Sequence, residues 1–442
     1  MRIVIIGAGA VGSYLAERLS AEGQDIVVVE SDEAKAVEIQ AEIDCLVIHG
    51  SGASPSVLED AGLKRADLLI AVTNFDAVNI LAAHAGARLG VPTRVARVED
   101  PQLRDEAKAL GVDLLIDPGE ATARELLLMV RQGGLSEVIE FADGRLDLIG
   151  GYVTPDAPVA GVTLNELKGM ISGWTWIVVA IIRNGETMIA RGSSEVLAGD
   201  HVLIMAETDL VAEAFELLGW KEQPAKKVLV LGATRLAKLT ALKLAAEGVH
   251  TTLIDQSGER IRALAQKCPE VLFVRGDPTD PRVLRSEGAG NADVVLALTG
   301  WDEVNILGCL VGKALGADTT VARLHRIDLV KMLPGVGIDG AVSSRLEAAN
   351  QILRFVRRGH VHSVTTFHDT DAEAIEVEVE PVSKAVGKTL ADLKLPRSLI
   401  VGGVVRGRDA FVPRGDTVIE VGDRLIVISL PEGIPHVEKL SG

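Results

Sequence analysis

Short, unbroken apolar runs alternate with stretches of helical periodicity from the start of the chain. Ile3–Ile6 leads into Gly7–Gly12 and then into an amphipathic stretch ending near Ala21; Gly23 closes it, and a second apolar run follows at Ile26–Val29. A run that is apolar at every position, rather than at every second one, predicts a strand covered on both faces of a parallel sheet. The pattern continues with a helix through DEAKAVEIQAE, a strand at CLVIHG, a helix at SPSVLEDAG, a strand at DLLIAVT, a helix at DAVNILAAHAGARLG and a strand at RVARV. Short loops join these elements, so right-handed crossovers assemble them into a doubly wound sheet.

The pattern then changes. After Asp117-Pro118, EATARELLLMVRQGG carries an apolar stripe at helical spacing and predicts a helix leaving the sheet. That helix either merely connects or packs against a neighbouring subunit. From Val159 to Glu207, short β-rich runs separated by turn residues predict a small α+β module.

Everything described so far is then written a second time. Met1–Glu30 returns as Lys226–Asp255, and the match extends into loops: Thr73, Asp76 and Asn79 of TNFDAVNIL reappear as Thr299, Asp302 and Asn305 of TGWDEVNIL. The connecting helix returns as EAANQILRFVRRGH. In the modules, Gly161, Leu164 and Leu167 correspond to Gly387, Leu390 and Leu393, and Gly199-Asp200 to Gly422-Asp423. A unit longer than about 200 residues is no solenoid repeat but a duplicated pair of domains, which favours a pseudo-symmetric assembly. The expected fold class is α/β: two doubly wound, Rossmann-like parallel-sheet domains at 1–135 and 223–360, each followed by a small α+β module at 136–222 and 361–442. KEQPAKK, at 221–227, is the expected linker.

Composition narrows the partners. The 442 residues are 48% hydrophobic but only 3% aromatic, and the formal net charge is −17. That charge argues against a nucleic-acid surface and against direct adsorption or anchoring to anionic lipid. Apolar runs such as Trp176–Ile182 are far shorter than the roughly 20 residues that span a bilayer. The N-terminus enters a strand at once, without a charged segment and cleavage site, so a cytoplasmic protein is expected. Cys45, Cys268 and Cys309 are isolated, which predicts buried free thiols rather than disulfides or a zinc site. His360, His362 and His368 crowd together, but their first-copy counterparts are not histidines. A surface loop, and no metal, is expected there.

Gly7-Ala8-Gly9-Ala10-Val11-Gly12 is GxGxxG in its confirming context, after a strand and opening a helix. Gly7 permits the tight turn, Gly9 lets the backbone approach a pyrophosphate, and Gly12 allows close helix–strand packing. Glu30 ends the second strand, where an acid accepts from a ribose 2′-hydroxyl and repels a 2′-phosphate; NAD(H) is therefore favoured over NADP(H). In the second copy the loop reads Gly232-Ala233-Thr234-Arg235-Leu236-Ala237, with Asp255 retained. Thr234 obstructs the pyrophosphate approach, while Arg235 could aim a guanidinium at phosphates. This copy is either a nucleoside di- or triphosphate site or a domain without ligand. Gly50, Ser51, Thr73 and Asn74 fall at the carboxyl edge of the first sheet and are candidate ligand contacts, with turn chemistry as the plainer account of Gly50-Ser51. Asn79 is expected to be an intradomain hydrogen-bond partner. Arg97 is read either as a phosphate partner or as a solvated strand-end arginine.

The combination of GAGxVG, Glu30, GSGASPSVLEDAGLKRADLLIAVT, the following D-x-x-N, the connecting helix and a GxTLxEL…GD module resembles the regulator-of-potassium-conductance (RCK) architecture. A tandem pair on one chain is similar to the Trk potassium-uptake regulatory family, and the resemblance covers essentially the whole sequence. It implies a cytoplasmic regulatory subunit, peripheral on the inner face of the plasma membrane, bound to an integral membrane Trk-type potassium channel subunit. It further implies four chains forming a ring of eight repeats, with NAD(H) and, alternatively, ATP or ADP shifting the ring's shape. By position Gly7, Gly9, Gly12, Glu30, Gly50, Ser51, Thr73 and Arg97 inherit the ligand role. No catalysis is expected. An NAD-dependent dehydrogenase would need a proton-transfer residue beside the nicotinamide, and His49 and His84 of the first Rossmann unit have no acid at a suggestive spacing. A nucleotide-sensing scaffold of another membrane transporter is the remaining alternative.

Overall fold

The computed structural model describes the chain except for residues 132–134, 136, 172, 221–224, 327–328, 330–332, 357–360, 367–369, 371 and 442. Most of the expected linker, together with His360 and His368, lies outside the described residues, as does the side chain of His362. The chain divides into two compact units, one of residues 1–121 with 344–356 and one of residues 122–343 with 357–442.

In the first unit, six parallel strands β1 (Arg2–Ile6), β2 (Asp25–Glu30), β3 (Leu46–His49), β4 (Leu68–Ala71), β5 (Thr93–Arg97) and β6 (Leu114–Ile116) lie in the order β3-β2-β1-β4-β5-β6. The chain reverses direction across the sheet between β1 and β4, where ligands bind in such folds. The all-apolar runs do what they predicted: Ile3, Val4 and Ile5 of β1 and Leu69, Ile70 and Ala71 of β4 are fully buried. The helix Ser344–Val356, far along the chain, belongs to this unit. Its Ala348, Ala349, Ile352 and Leu353 join Leu15, Ala16 and Leu19 of the glycine-loop helix Ala10–Ala21 in one apolar cluster. The Arg345 guanidinium lies 5.3 Å from the Tyr14 ring centre at the same contact.

The second unit repeats the sheet with β14 (Lys227–Leu231), β15 (His250–Asp255), β16 (Leu272–Arg275), β17 (Val294–Ala297), β18 (Thr319–Arg323) and β19 (Gly340–Val342), ordered β16-β15-β14-β17-β18-β19. Here the helix Pro118–Arg131 supplies the complementary contact. Ala123, Leu126, Met129 and Val130 pack with Leu236, Ala237, Ala241 and Leu244 of the helix Arg235–Ala246, and Arg131 pairs with Glu247 at 2.6 Å. Each connecting helix therefore covers its stripe on the glycine-loop helix of the other copy. The stripe that suggested a neighbouring subunit is met inside the chain, because covalent linkage supplies the partner surface at high effective concentration.

The rest of this unit is two antiparallel modules. The first contains β7 (Glu137–Phe141), β8 (Leu146–Tyr152), β9 (Val162–Thr163), β10 (Trp176–Arg183), β11 (Glu186–Ile189), β12 (Glu195–Val196) and β13 (His201–Glu207); its main sheet runs β11-β10-β13-β8-β7. The second contains β20 (Val361–Thr366), β21 (Glu373–Glu378), β22 (Leu399–Arg406), β23 (Asp409–Phe411) and β24 (Arg424–Ser429), ordered β20-β21-β24-β22-β23. Leu146, Leu148, Val179 and Met205 of one sheet share a buried cluster with Ala374, Val405, Ile426 and Ile428 of the other. The Gly-Asp pairs have a structural role. Asp200, nearly inaccessible, accepts from Arg183 Nε and Nη2 at 2.7 Å each and from the Leu197 amide at 2.7 Å. Asp423 does the same with Arg406 at 2.8 Å and the Glu420 amide. Of the three cysteines, Cys268 and Cys309 are buried as expected, whereas Cys45 is only partly covered, next to the half-open edge strand β3.

Candidate nucleotide-binding site

The glycine loop leaves β1 at the switch point. Gly7 takes φ +99°, and a Cβ there would lie 2.9 Å from Thr73 Cγ2, so both the turn and the approach of β4's end exclude other residues. A Cβ on Gly12 would meet the Gly7 carbonyl oxygen at 1.9 Å. Around Gly9 the situation is reversed: nothing lies within 4 Å of where its Cβ would be. The space is open on the side where the helix Ala10–Ala21 begins, and that helix has no side-chain cap. The first amides of a helix carry no intrahelical partner, so those of Ala10, Val11 and Gly12 are left for an anion. The side chains of Ala8 and Val11 point into the core; in this site they serve through backbone alone.

Glu30 is buried at the end of β2. Its Oε2 accepts from the Ala8 amide at 2.6 Å, and its Oε1 from the Asp32 amide at 2.8 Å and the Ser31 hydroxyl at 3.2 Å. Burial by itself would push this carboxyl up; the amides of Asp32, Ala8 and Ser31 and the Ser31 hydroxyl outweigh it and hold the group below its ordinary range. The acid therefore latches the glycine loop as well as standing where a ribose would be. Asp255 repeats the latch on Ala233 at 2.7 Å and Ser257 at 2.8 Å. That accounts for its retention in a copy whose second and third glycines are gone.

The other predicted residues gather at the same edge. Gly50 donates its amide to the Glu30 carbonyl at 2.8 Å, and Ser51 is exposed in the turn that follows. Asn79, fully buried, acts within the domain. Its Oδ1 accepts from the Thr73 amide at 2.9 Å and the Thr73 hydroxyl at 2.7 Å, while its Nδ2 donates to the carbonyls of Thr73 at 3.0 Å and Arg97 at 2.9 Å. Asn305 makes the same four bonds in the second copy. Arg97 donates from Nη1 to Asn74 Oδ1 at 3.0 Å and pairs with Glu99, which holds it and its neighbour Asn74 at the same edge.

In the second copy Thr234 adopts φ −75° and ψ 168°, close to the φ −72° and ψ −175° of Gly9, and differs in what its side chain does. The hydroxyl donates to the Leu298 carbonyl at 2.7 Å and accepts from the Ala237 amide at 3.2 Å. A cavity of about 690 Å³ remains beside it, lined by Asp255, Ser257, Arg260, Thr299 and Trp301 among others. Arg235 is exposed on the first helical turn and is not part of that lining; the cation there is Arg260.

A further hollow of about 550 Å³ lies between the two C-terminal modules. Lys168 and Arg191 from one and Lys394 and Arg414 from the other line it, with Trp174 between Lys168 and Arg414 at 5.2 and 5.7 Å from its ring centre. No carboxylate is among the described lining residues, so its field suits an anion. The two modules bring these cations together from positions far apart in the chain, which no local pattern announces. Among the described residues no group of three or more His, Cys, Asp or Glu side chains could hold a metal ion, and no helix is long and apolar enough to cross a membrane.

Comparison with known proteins agrees with this architecture repeat by repeat. The TrkA-N domain family matches residues 3–118 and 228–344, and the TrkA-C domain family matches residues 152–219 and 374–442. The chain belongs to the TrkA family. It is similar to the Trk system potassium uptake protein TrkA of Haemophilus influenzae, 33% identical with 100% of this chain and 98% of the relative covered. It is likewise similar to the TrkA homolog of Archaeoglobus fulgidus, 35% identical with both chains covered completely. Among solved structures, the GsuK RCK domain matches with a TM-score of 0.63 at 19% identity, covering 99% of this chain and 94% of that one. The GsuK channel bound to NAD matches with a TM-score of 0.63 at 20% identity, covering 99% of this chain and 78% of that one. The fold of this TrkA-family chain is thus that of tandem RCK domains.

Proposed function

We propose that this chain is the nucleotide-sensing regulatory subunit of a Trk-type potassium uptake system, and that its first TrkA-N domain binds NAD(H), with ATP or ADP as alternative ligands. The observation that carries the reading is the uncapped start of the helix Ala10–Ala21 beside open space at Gly9. Three backbone amides and a helix dipole are left facing a void at the topological switch point, which suits a pyrophosphate. The curated relatives are named for potassium uptake, and a GsuK structure contains NAD; both support the assignment.

In this reading Gly7, Gly9 and Gly12 shape the loop, and the amides of Ala10, Val11 and Gly12 bind phosphate. Glu30 holds the loop and accepts from an adenosine ribose, where its low pKa keeps it anionic and hostile to a 2′-phosphate. Ser51, Thr73 and Asn74 border the nucleoside along the strand ends. A ligand can shift conformation only through different affinity for two shapes. Because Thr73 touches the loop and is bonded to Asn79, which also holds the end of β5, occupancy of the loop bears on the whole carboxyl edge. Four chains in an eight-repeat ring would add four such biases, and that ring would gate the integral membrane channel subunit from its cytoplasmic side. The relatives do not favour the dehydrogenase alternative.

Titration calorimetry with NADH, NADPH, ATP and ADP tests the reading beside Gly9→Thr. The variant has room for the new side chain and a backbone already matching that of Thr234, so it keeps its fold. Saturable binding of NADH or ATP by the wild type, lost in Gly9→Thr, supports the assignment. No binding by any nucleotide refutes it.

A further inference from the structure

We propose that Thr234 determines the ligand class of the second TrkA-N domain: its hydroxyl closes the phosphate end, leaving a pocket for a nucleoside without a pyrophosphate. The proposal rests on reading the first domain as a dinucleotide site. The two loops share backbone geometry at the cap, so the difference between them lies in side chains. Where Gly9 leaves an uncapped helix, Thr234 Oγ1 takes the Ala237 amide and anchors itself on the Leu298 carbonyl. One of the amides a phosphate would use is thus already satisfied from within. Ala237 is the other difference in the loop: it carries a Cβ where the first copy has Gly12, at which a Cβ would come within 1.9 Å of the Gly7 carbonyl oxygen.

The nucleoside end of the pocket stays open. The cavity of about 690 Å³ is of ligand size. Asp255 stands at the end of β15 with two amide donors taken and lone pairs to spare for ribose hydroxyls. Trp301, 71% exposed, lies in the cavity wall and offers a flat face on which a base can stack. It replaces the Phe75 of the first copy, which is exposed to the same extent.

That replacement also supplies the assay. Trp301 is the one strongly exposed tryptophan of the four, Trp176 being fully buried and Trp174 and Trp220 partly so, and the first site has no tryptophan at the corresponding place. Tryptophan emission of the full-length protein is titrated with adenosine and with NAD⁺, and the Trp301→Phe protein defines the part of the signal that belongs to Trp301. Saturable quenching of that part by adenosine but not by NAD⁺ is expected. Thr234→Gly, alone and with Ala237→Gly, is expected to let NAD⁺ quench it with affinity raised at least about tenfold, the change one lost cap of about 1.4 kcal/mol produces. Quenching of wild-type Trp301 by NAD⁺ as strong as by adenosine would overturn the closure by Thr234. Absence of adenosine quenching would overturn the nucleoside pocket. Calorimetric binding of NADH at the first site is scored separately, so failure of the dinucleotide reading there is distinguishable from failure here.

Discussion

Asn79→Ala is the sharpest test of how the candidate site is held together. The side chain has no exposed surface and makes four hydrogen bonds, at 2.7 to 3.0 Å, to Thr73 and to the Arg97 carbonyl. Truncation leaves the Thr73 amide and two carbonyls without these partners at a part-buried place. The Thr73 hydroxyl, which has a single proton, can turn it to the Phe75 carbonyl at 3.3 Å, so not everything is lost. At about 1 kcal/mol for each lost bond, and about 1–3 for a buried donor left unpaired, the cost comes to roughly 3–5 kcal/mol. That is a large fraction of the roughly 5–15 kcal/mol that holds a domain together. Because a chain of several domains does not unfold in two states, the measurement should be local. Amide hydrogen exchange over β4 and the start of the helix Asp76–Leu89 is the assay, with the corresponding segment around Thr299 and Asn305 as internal control. Protection in the first segment should fall by about two to three and a half orders of magnitude, at 1.4 kcal/mol per decade, while the control stays constant. NADH affinity should fall with it, since Thr73 backs Gly7. A loss of protection below fivefold would refute the claim that Asn79 carries the carboxyl edge.

Three further outcomes follow from the geometry. Arg183→Ala leaves Asp200 buried without its guanidinium and should destabilise the first C-terminal module by about 3 kcal/mol, seen as a lowered unfolding temperature, whereas Arg183→Lys should recover only part of it. Leu126→Ala, in the helix that covers the second glycine-loop helix, should cost about 3 kcal/mol through cavity formation and raise limited proteolysis of residues 226–247; an unchanged digest would show the contact to be slack. The folded-state pKa of Glu30 lies below its unfolded value, so its contribution is complete above the ordinary carboxylate range and is lost as pH falls through the lower, folded value. NADH binding should weaken in that acid window, and Glu30→Gln should bind weakly at neutral pH with the acid dependence flattened.

The sequence by itself determined the duplication, the parallel sheets and the uneven pair of glycine loops. All-apolar runs such as Ile3–Ile6 admit few environments other than a doubly covered strand; Gly7 and Gly12 are demanded by close contacts that a side chain would break, whereas Gly9 leaves open the space a ligand would need. Asn79 was also legible as a hydrogen-bond partner within the domain, although not which groups it would join. Only the tertiary structure decided which surface covers each apolar stripe: periodicity shows that the helices Pro118–Arg131 and Ser344–Val356 have an apolar face, but not that each lies on the other copy's helix. It decided that Arg260 rather than Arg235 lines the second pocket, since direction from a helix's first turn depends on how the loop enters it. It gave Glu30 and Asp255 a second task as latches, and turned Gly199-Asp200 from a repeated signature into an arginine clasp. The cationic hollow around Trp174 was invisible along the chain, because electrostatic fields add in space and its four cations come from two domains.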